Sequence, residues 1–86
     1  MQLPDDVVEQ THLAFRNIAA ALGQAGAGLK DIVRVRYYLT DPGHWNQLSP
    51  VFGQYLADIR PASTAIVCAL PDPEMKIEIE VTAKRP

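Results

Sequence analysis

Cysteine is almost absent from this 86-residue chain. Cys68 stands alone, so no disulfide can close within one copy, and a reducing cytoplasm is the expected compartment. Histidine is nearly as scarce, with His12 and His44 far apart in the chain. No group of Cys, His, Asp and Glu has ligand spacing, and neither a metal nor any other cofactor is expected. Positive charge is not in excess: eight Lys and Arg against ten Asp and Glu leave a net charge of −2. Without a basic run, neither a nucleic-acid partner nor an anionic membrane surface is expected. No apolar stretch approaches the ~18 residues of a membrane span, and Met1-Gln2-Leu3-Pro4-Asp5-Asp6 has neither the positive start nor the apolar centre of a signal peptide. Internal repeats, low-complexity segments and domain linkers are missing too.

What is present describes a small globular domain. Hydrophobic residues make up 48% of the chain and charged ones 21%, the balance of a folded rather than a disordered sequence. A single domain of this length buries only about 60% of its unfolded surface, which makes a lone monomer marginal and self-association expected.

Hydrophobic spacing gives the order of elements. Val8, Thr11, Phe15, Ile18 and Leu22 recur at intervals of three and four, predicting a helix from Asp6 to Leu22 with Asp5 or Asp6 as its cap. The segment from Gly23 to Gly28 ends it, and Gly26 and Gly28 are read as a helix-ending loop rather than a phosphate cradle. Ile32 to Thr40 is rich in β-branched and aromatic residues, with Val33, Val35, Tyr37 and Leu39 alternating against Arg34, Arg36 and Tyr38. That predicts a strand, closed by Asp41-Pro42-Gly43.

Trp45, Leu48, Phe52, Tyr55 and Leu56 return to helical spacing between His44 and Ile59, with Pro50 inside the run. Either Ser49 caps a short helix that starts at Pro50, or a preceding helical turn bends there. The last third reads as a β-hairpin: Arg60 to Leu70 forms one arm, Pro71-Asp72-Pro73-Glu74 the turn, and Met75 to Ala83 the other arm. In that second arm Met75, Ile77, Ile79, Val81 and Ala83 share one face, with Lys76, Glu78, Glu80 and Thr82 on the other. The expected fold class is α+β, two helices on one face of a sheet, with the opposite face and the edges left for contacts between copies.

Three stretches, Asp31 to Asp41, Phe52-Gly53-Gln54-Tyr55-Leu56, and Arg60 to Ala83 with its Lys76-Ile77-Glu78-Ile79-Glu80 ending, resemble the RidA/YjgF family of enamine and imine deaminases. Phe15-Arg16-Asn17-Ile18 extends the likeness upstream. The resemblance implies a chorismate-mutase-like fold, a mixed sheet, and a homotrimer with small-molecule clefts between subunits. It also implies that residues 1–86 form one RidA-like domain lacking the first two strands of typical members.

The same resemblance places Glu78 at the position of a catalytic glutamate that orients the water attacking a C=N carbon, a role suited to a carboxylate within hydrogen-bond reach of water. Typical members hold the substrate carboxylate with an arginine directly after Pro-Ala. Here Pro61-Ala62 is followed by Ser63, whose hydroxyl cannot make a guanidinium's bidentate contact, which argues against the usual 2-imino acids. A cysteine common in the family corresponds to Ala65, and a cleft asparagine corresponds to Ser49. Ser63, Thr64, Ala65 and Ser49 are therefore the expected substrate-binding positions.

Other residues carry plainer readings. No histidine or lysine in the sequence pattern activates Ser63 or Thr64 as a nucleophile, which leaves them hydrogen-bonding roles. Glu80 is read as a structural ion-pair candidate, Arg34 and Arg36 as pairing within the sheet or at an interface in preference to binding an anionic ligand, and Cys68 as a small buried hydrophobe within its strand. The expected function is imine or enamine hydrolysis, and the alternative is a small-molecule-binding or regulatory trimer without that chemistry.

Overall fold

The structure, a computed structural model, describes residues 4–84. Met1 to Leu3, read above for a leader, lie outside the described residues. Helix α1 spans Val7–Gln24, a 3-10 turn spans Leu29–Asp31, and strand β1 spans Ile32–Leu39. Helix α2 spans His44–Leu56, strand β2 Ala62–Val67 and strand β3 Ile77–Ala83. No helix among these residues is long and apolar enough to cross a membrane.

Asp6 resolves the choice of cap for α1: its Oδ1 accepts from the Val8 backbone N–H at 3.1 Å, satisfying one of the donors a helix start leaves free. The buried stripe of α1 begins one residue earlier than the spacing suggests, with Val7, Gln10, Thr11 and Phe15 inside. Two of these are polar, and both are bonded. Thr11 donates to the Val7 carbonyl at 2.8 Å. The Gln10 amide donates to the carbonyls of Pro4 (2.7 Å) and Glu74 (2.9 Å) and accepts from the Lys76 N–H (2.8 Å). One glutamine thus pins the segment before β3 to the first helix. After the helix, Gly26 takes φ of +77°, a conformation open to glycine without steric cost.

Helix α2 is continuous through Pro50. The proline costs one intrahelical hydrogen bond, and Leu48, Val51, Phe52 and Leu56, buried on the inner face of α2, offset it. A fully buried side chain of that size contributes roughly 1.5–3 kcal/mol. Trp45, whose spacing fits either the core or an interface between copies, is 39% exposed.

The sheet order is β2-β1-β3. Strand β1 pairs parallel with β2 and antiparallel with β3, so the predicted hairpin does not form. Its two arms are separated by the width of β1. Central placement buries β1 between both neighbours, and it is the strand richest in β-branched and aromatic residues. Three cross-strand rows face the helices: Ser63–Val35–Val81, Ala65–Tyr37–Ile79 and Val67–Leu39–Ile77. Three more face away: Ala62–Arg34–Thr82, Thr64–Arg36–Glu80 and Ile66–Tyr38–Glu78.

A register shift between Ile32 and Arg34 corrects the predicted alternation in β1. Ile32 is buried at 2% exposure while Val33 is 50% exposed, because the extra residue of a bulge reverses which side chain points inward. Cys68 is a second correction. It lies one residue beyond β2 and is only partly buried, although its N–H still donates to the Leu39 carbonyl at 2.9 Å.

The core lies between the helices and the sheet, formed by Phe15, Val35, Tyr37, Leu39, Leu48, Phe52 and their neighbours. Phe15 stacks on Tyr55 with ring centroids 4.3 Å apart. Tyr55 also bonds the His12 imidazole at 2.6 Å, joining the two helices. Helix α1 packs against β3 and α2, while α2 reaches the sheet through its aromatic rings.

Candidate functional site

The sequence-predicted site residues fall on opposite sides of the sheet. Glu78 and Thr64 belong to rows that face away from the helices. Glu78 is exposed, and its neighbour in the row is Tyr38, not an arginine. Glu80 stands opposite Arg36 in the register. Among the described residues none of Glu78, Glu80, Arg34 or Arg36 forms an ion pair, so the expected cross-strand pairing is not made. Thr64 is two strands from Glu78, a lateral separation of roughly 10 Å at ordinary strand spacing. The open face therefore presents an unpaired carboxylate beside a tyrosine, with arginines and threonines nearby.

Ser63 and Ala65 lie in the rows on the helix side. Ser63 joins Ser49 in the wall of a groove of about 270 Å³ between α2 and β2. The groove exists because α2 lies over β1 and leaves β2 uncovered, so that all six residues of β2 are exposed. Its floor is aromatic. Tyr37 stacks on Phe52 at 3.9 Å and 17°, and Trp45 meets Tyr37 at 6.0 Å and 66°, edge to face. Burial pushes the Tyr37 hydroxyl up to about 12 from its usual 10.0, since a phenolate in an apolar wall would lose its hydration. Ser63 Oγ donates to the Pro61 carbonyl at 3.2 Å.

Sequence reasoning did not place Tyr37 or Arg60 in this groove. Tyr37 is read only as one of the alternating positions of its strand; it is buried in the core and also lines the groove. Arg60 is read as the start of a strand arm and instead lies in the turn between α2 and β2, with φ of 53°. No periodicity marks such a residue. A cation immediately before Pro61, just after a helical run, is the only local signal.

A second, wider hollow of about 550 Å³ lies near the start of α2, where Asp41, His44, Cys68, Asp72 and Lys76 meet. His44 Nδ1 is buried there and has no hydrogen-bond partner among the described residues. Among the described residues no three Cys, His, Asp or Glu side chains are grouped so as to hold a metal ion.

The sequence pattern of the endoribonuclease L-PSP family matches residues 1–85. A RutC family protein of Pyrococcus abyssi is 35% identical over 78 residues, covering 91% of this chain and 61% of the relative. TdcF of Escherichia coli K12, provisionally named a reactive intermediate deaminase, is 26% identical over 98% of this chain and 67% of its own length. Among solved structures, Rv2704 of Mycobacterium tuberculosis, a YjgF/YER057c/UK114 family member, superposes with a TM-score of 0.90 at 43% identity. That match covers 93% of this chain and 69% of the relative. The chain spans about 61–62% of the length of the Pyrococcus relatives it matches. Two helices on one face of a mixed sheet, a family pattern matched from end to end and the Rv2704 superposition together place this chain in the endoribonuclease L-PSP family, also called the RidA/YjgF family.

Proposed function

We propose that this protein hydrolyses small imines or enamines, with Glu78 orienting the attacking water in a cleft shared between copies of the chain. The observation that carries this reading is the separation of the two halves of the site. Glu78 points out of the open sheet face, while Ser49 and Ser63 line a groove on the helix side. The sheet stands between them, so one copy cannot bring them to one ligand. Two copies can, if the groove of one meets the open face of another, and the homotrimer implied by the resemblance supplies that arrangement. The apolar exposure of Ile66 (38%) on that face supports its being covered by another copy.

In the reaction, Glu78 accepts a proton as water oxygen bonds to the C=N carbon, giving a tetrahedral carbinolamine. Glu78 returns that proton to nitrogen, then carries the carbinolamine hydroxyl proton to the same nitrogen as the C–N bond breaks, so that ammonia leaves, the carbonyl forms and Glu78 is again a carboxylate. Water and imine become carbonyl compound and ammonia, with no oxidant, metal or cofactor required. General acid–base assistance of this kind contributes typically 10²–10⁴-fold. The relative TdcF, provisionally named a reactive intermediate deaminase, supports the reaction class. The net charge of −2 gives no support to the ribonuclease that the family's name carries.

Ammonia release from imines generated in situ tests the reading. Glu78→Gln should lower release at least 100-fold with an unchanged oligomer. A groove-blocking Ser49→Trp variant should be inactive alone, and mixed oligomers of the two variants should regain part of the activity. Release that is indifferent to Glu78→Gln in a folded oligomer would overturn the proposal. No release from the unaltered protein would leave the alternative, a binding or regulatory trimer.

A further inference from the structure

We infer that the free edge of β3 is a docking surface for β3 of a second copy, the two strands pairing antiparallel about Val81 so that one sheet runs through both molecules.

The backbone of this edge is set for pairing. In the order β2-β1-β3, strand β3 has a neighbour on one side alone among the described residues. The Thr40 N–H donates to the Lys76 carbonyl at 3.2 Å and the Lys84 N–H to the Asp31 carbonyl at 2.9 Å, so the even-numbered residues from Lys76 to Lys84 turn their backbone groups toward β1. By the same alternation Ile77, Ile79, Val81 and Ala83 turn theirs outward, and among the described residues these groups have no partner. Proteins ordinarily blunt such an edge with Pro, a bulge or a covering segment. Ile77–Ala83 contains neither Pro nor Gly, and the extra residue of the bulge belongs to β1.

Charge selects the register. Outward-facing groups can bond only if Ile77, Ile79, Val81 and Ala83 meet one another, which leaves a short series of antiparallel registers. Centring on Ile79 sets Glu78 opposite Glu80 of the other copy, and centring on Glu80 sets Glu80 opposite itself; like charges so placed push strands apart. Centring on Val81 sets Ile79 opposite Ala83, Glu80 opposite Thr82 and Glu78 opposite Lys84. Moving on to Thr82 keeps the acids apart but shortens the overlap and leaves Glu78 without a described partner. In the Val81 register the Glu78–Lys84 and Glu80–Thr82 pairs fall at the non-hydrogen-bonded sites, where side chains come closest. All four residues are exposed. The contact is two-fold and closes on itself, giving a pair of molecules and not a fibre.

The helix layer adds apolar surface. Helix α1 packs on β3, and His12 marks the side of α1 that meets α2. On the opposite flank Leu13 and Ala14 join Met75 and Ile77 in lining a hollow of about 130 Å³. A two-fold axis perpendicular to the sheet at Val81 keeps both α1 helices on one side and brings these flanks toward each other. The exposed β2 edge has no helix above it to contribute in this way.

This contact is distinct from the one that forms the proposed cleft and does not rest on the imine-hydrolysis reading. An ammonium beside Glu78 favours its ionised form, the form that accepts a proton from water.

Hydrogen exchange at Ile79 and Val81 tests the inference, since a contact through the open sheet face leaves those amides uncovered. In the unaltered chain their exchange should slow about tenfold or more as the concentration is raised through the midpoint of association. Lys84→Glu and Glu78→Lys each set like charges in both cross-copy pairs, and each should remove the protection. An equimolar mixture of the two variants should restore it, because the exchanged charges then face their opposites. Val81→Pro removes an outward N–H and leaves the ladder to β1 intact; it should abolish the pairing with exchange at Tyr37 unchanged. The charge exchange alters only exposed side chains, so it decides the matter without the proline variant. Exchange at Ile79 and Val81 indifferent to concentration, protection that survives both charge reversals, or a mixture that regains none would overturn the inference.

Discussion

Leu39 has two neighbours in its cross-strand row, Ile77 of β3 on one side and Val67 of β2 on the other. All three belong to the helix side of the sheet, yet Ile77 is 3% exposed and Val67 52%. The difference lies in what stands above them. Helix α1 covers β3, Gln10 fastens the chain just before β3 to α1, and nothing among the described residues of one copy covers β2. Apolar alternation states which residues can be buried together; the helix layer decides which are. The uncovered half is where the groove opens, so the candidate binding surface is the part of the sheet that the helices leave bare.

Matched substitutions test that asymmetry most strongly at the core. Phe15→Ala removes a ring with no exposure that stacks on Tyr55, and should cost about 3–5 kcal/mol, read as a shift in the denaturation midpoint. Ile77→Ala should cost about 2–4 kcal/mol in the same assay, against about 0.5 kcal/mol or less for Val67→Ala in a monomeric sample. Equal costs would mean β2 is covered as well as β3. Gln10→Ala should cost about 1–3 kcal/mol, because the Lys76 N–H and the Glu74 carbonyl lose their partner. Hydrogen exchange at Lys76 should then rise more than at Cys68.

Smaller effects belong to the β2 side. Arg60→Gly should raise stability by about 0.5–1 kcal/mol by relieving the positive φ, read as a shift in the denaturation midpoint. Tyr37 gives a pH signature. Its folded-state value near 12 lies above the ordinary 10.0, so the unfolded chain loses the proton first. The associated stability is fully present below pH 10 and is lost as pH rises from 10 toward 12. Tyr37→Phe should flatten that part of the curve in pH-dependent thermal melts.

Much of the fold was legible because its signals are local. The α1 stripe from Thr11 to Leu22, the α2 run and the alternation of Ile77, Ile79 and Val81 each follow from a period of 3.6 or 2. The hairpin was misread for a physical reason: two adjacent apolar strands with a short proline turn satisfy the hairpin pattern, and no local feature states that β1 will pair between them. Pro50 was ambiguous because the burial that tolerates it comes from the sheet. Val33 was placed on the wrong side because a bulge carries no compositional mark.

The candidate site divides the same way. Glu78 could be singled out from its position in an alternating strand and from the resemblance of Lys76-Ile77-Glu78-Ile79-Glu80 to a family ending. The place of Arg60 in the groove wall could not be read from the sequence, since it depends on a backbone angle and on a groove walled by distant segments.

The sequence by itself determined the elements, the α+β class and the side of β3 that carries its carboxylates, because periodicity and side-chain chemistry act over a few residues. Only the tertiary structure decided that β1 is central, that β2 lies bare, and that Glu78 and Ser63 face opposite ways. Strand order and helix cover are set by contacts between distant segments, whose energies no local window contains.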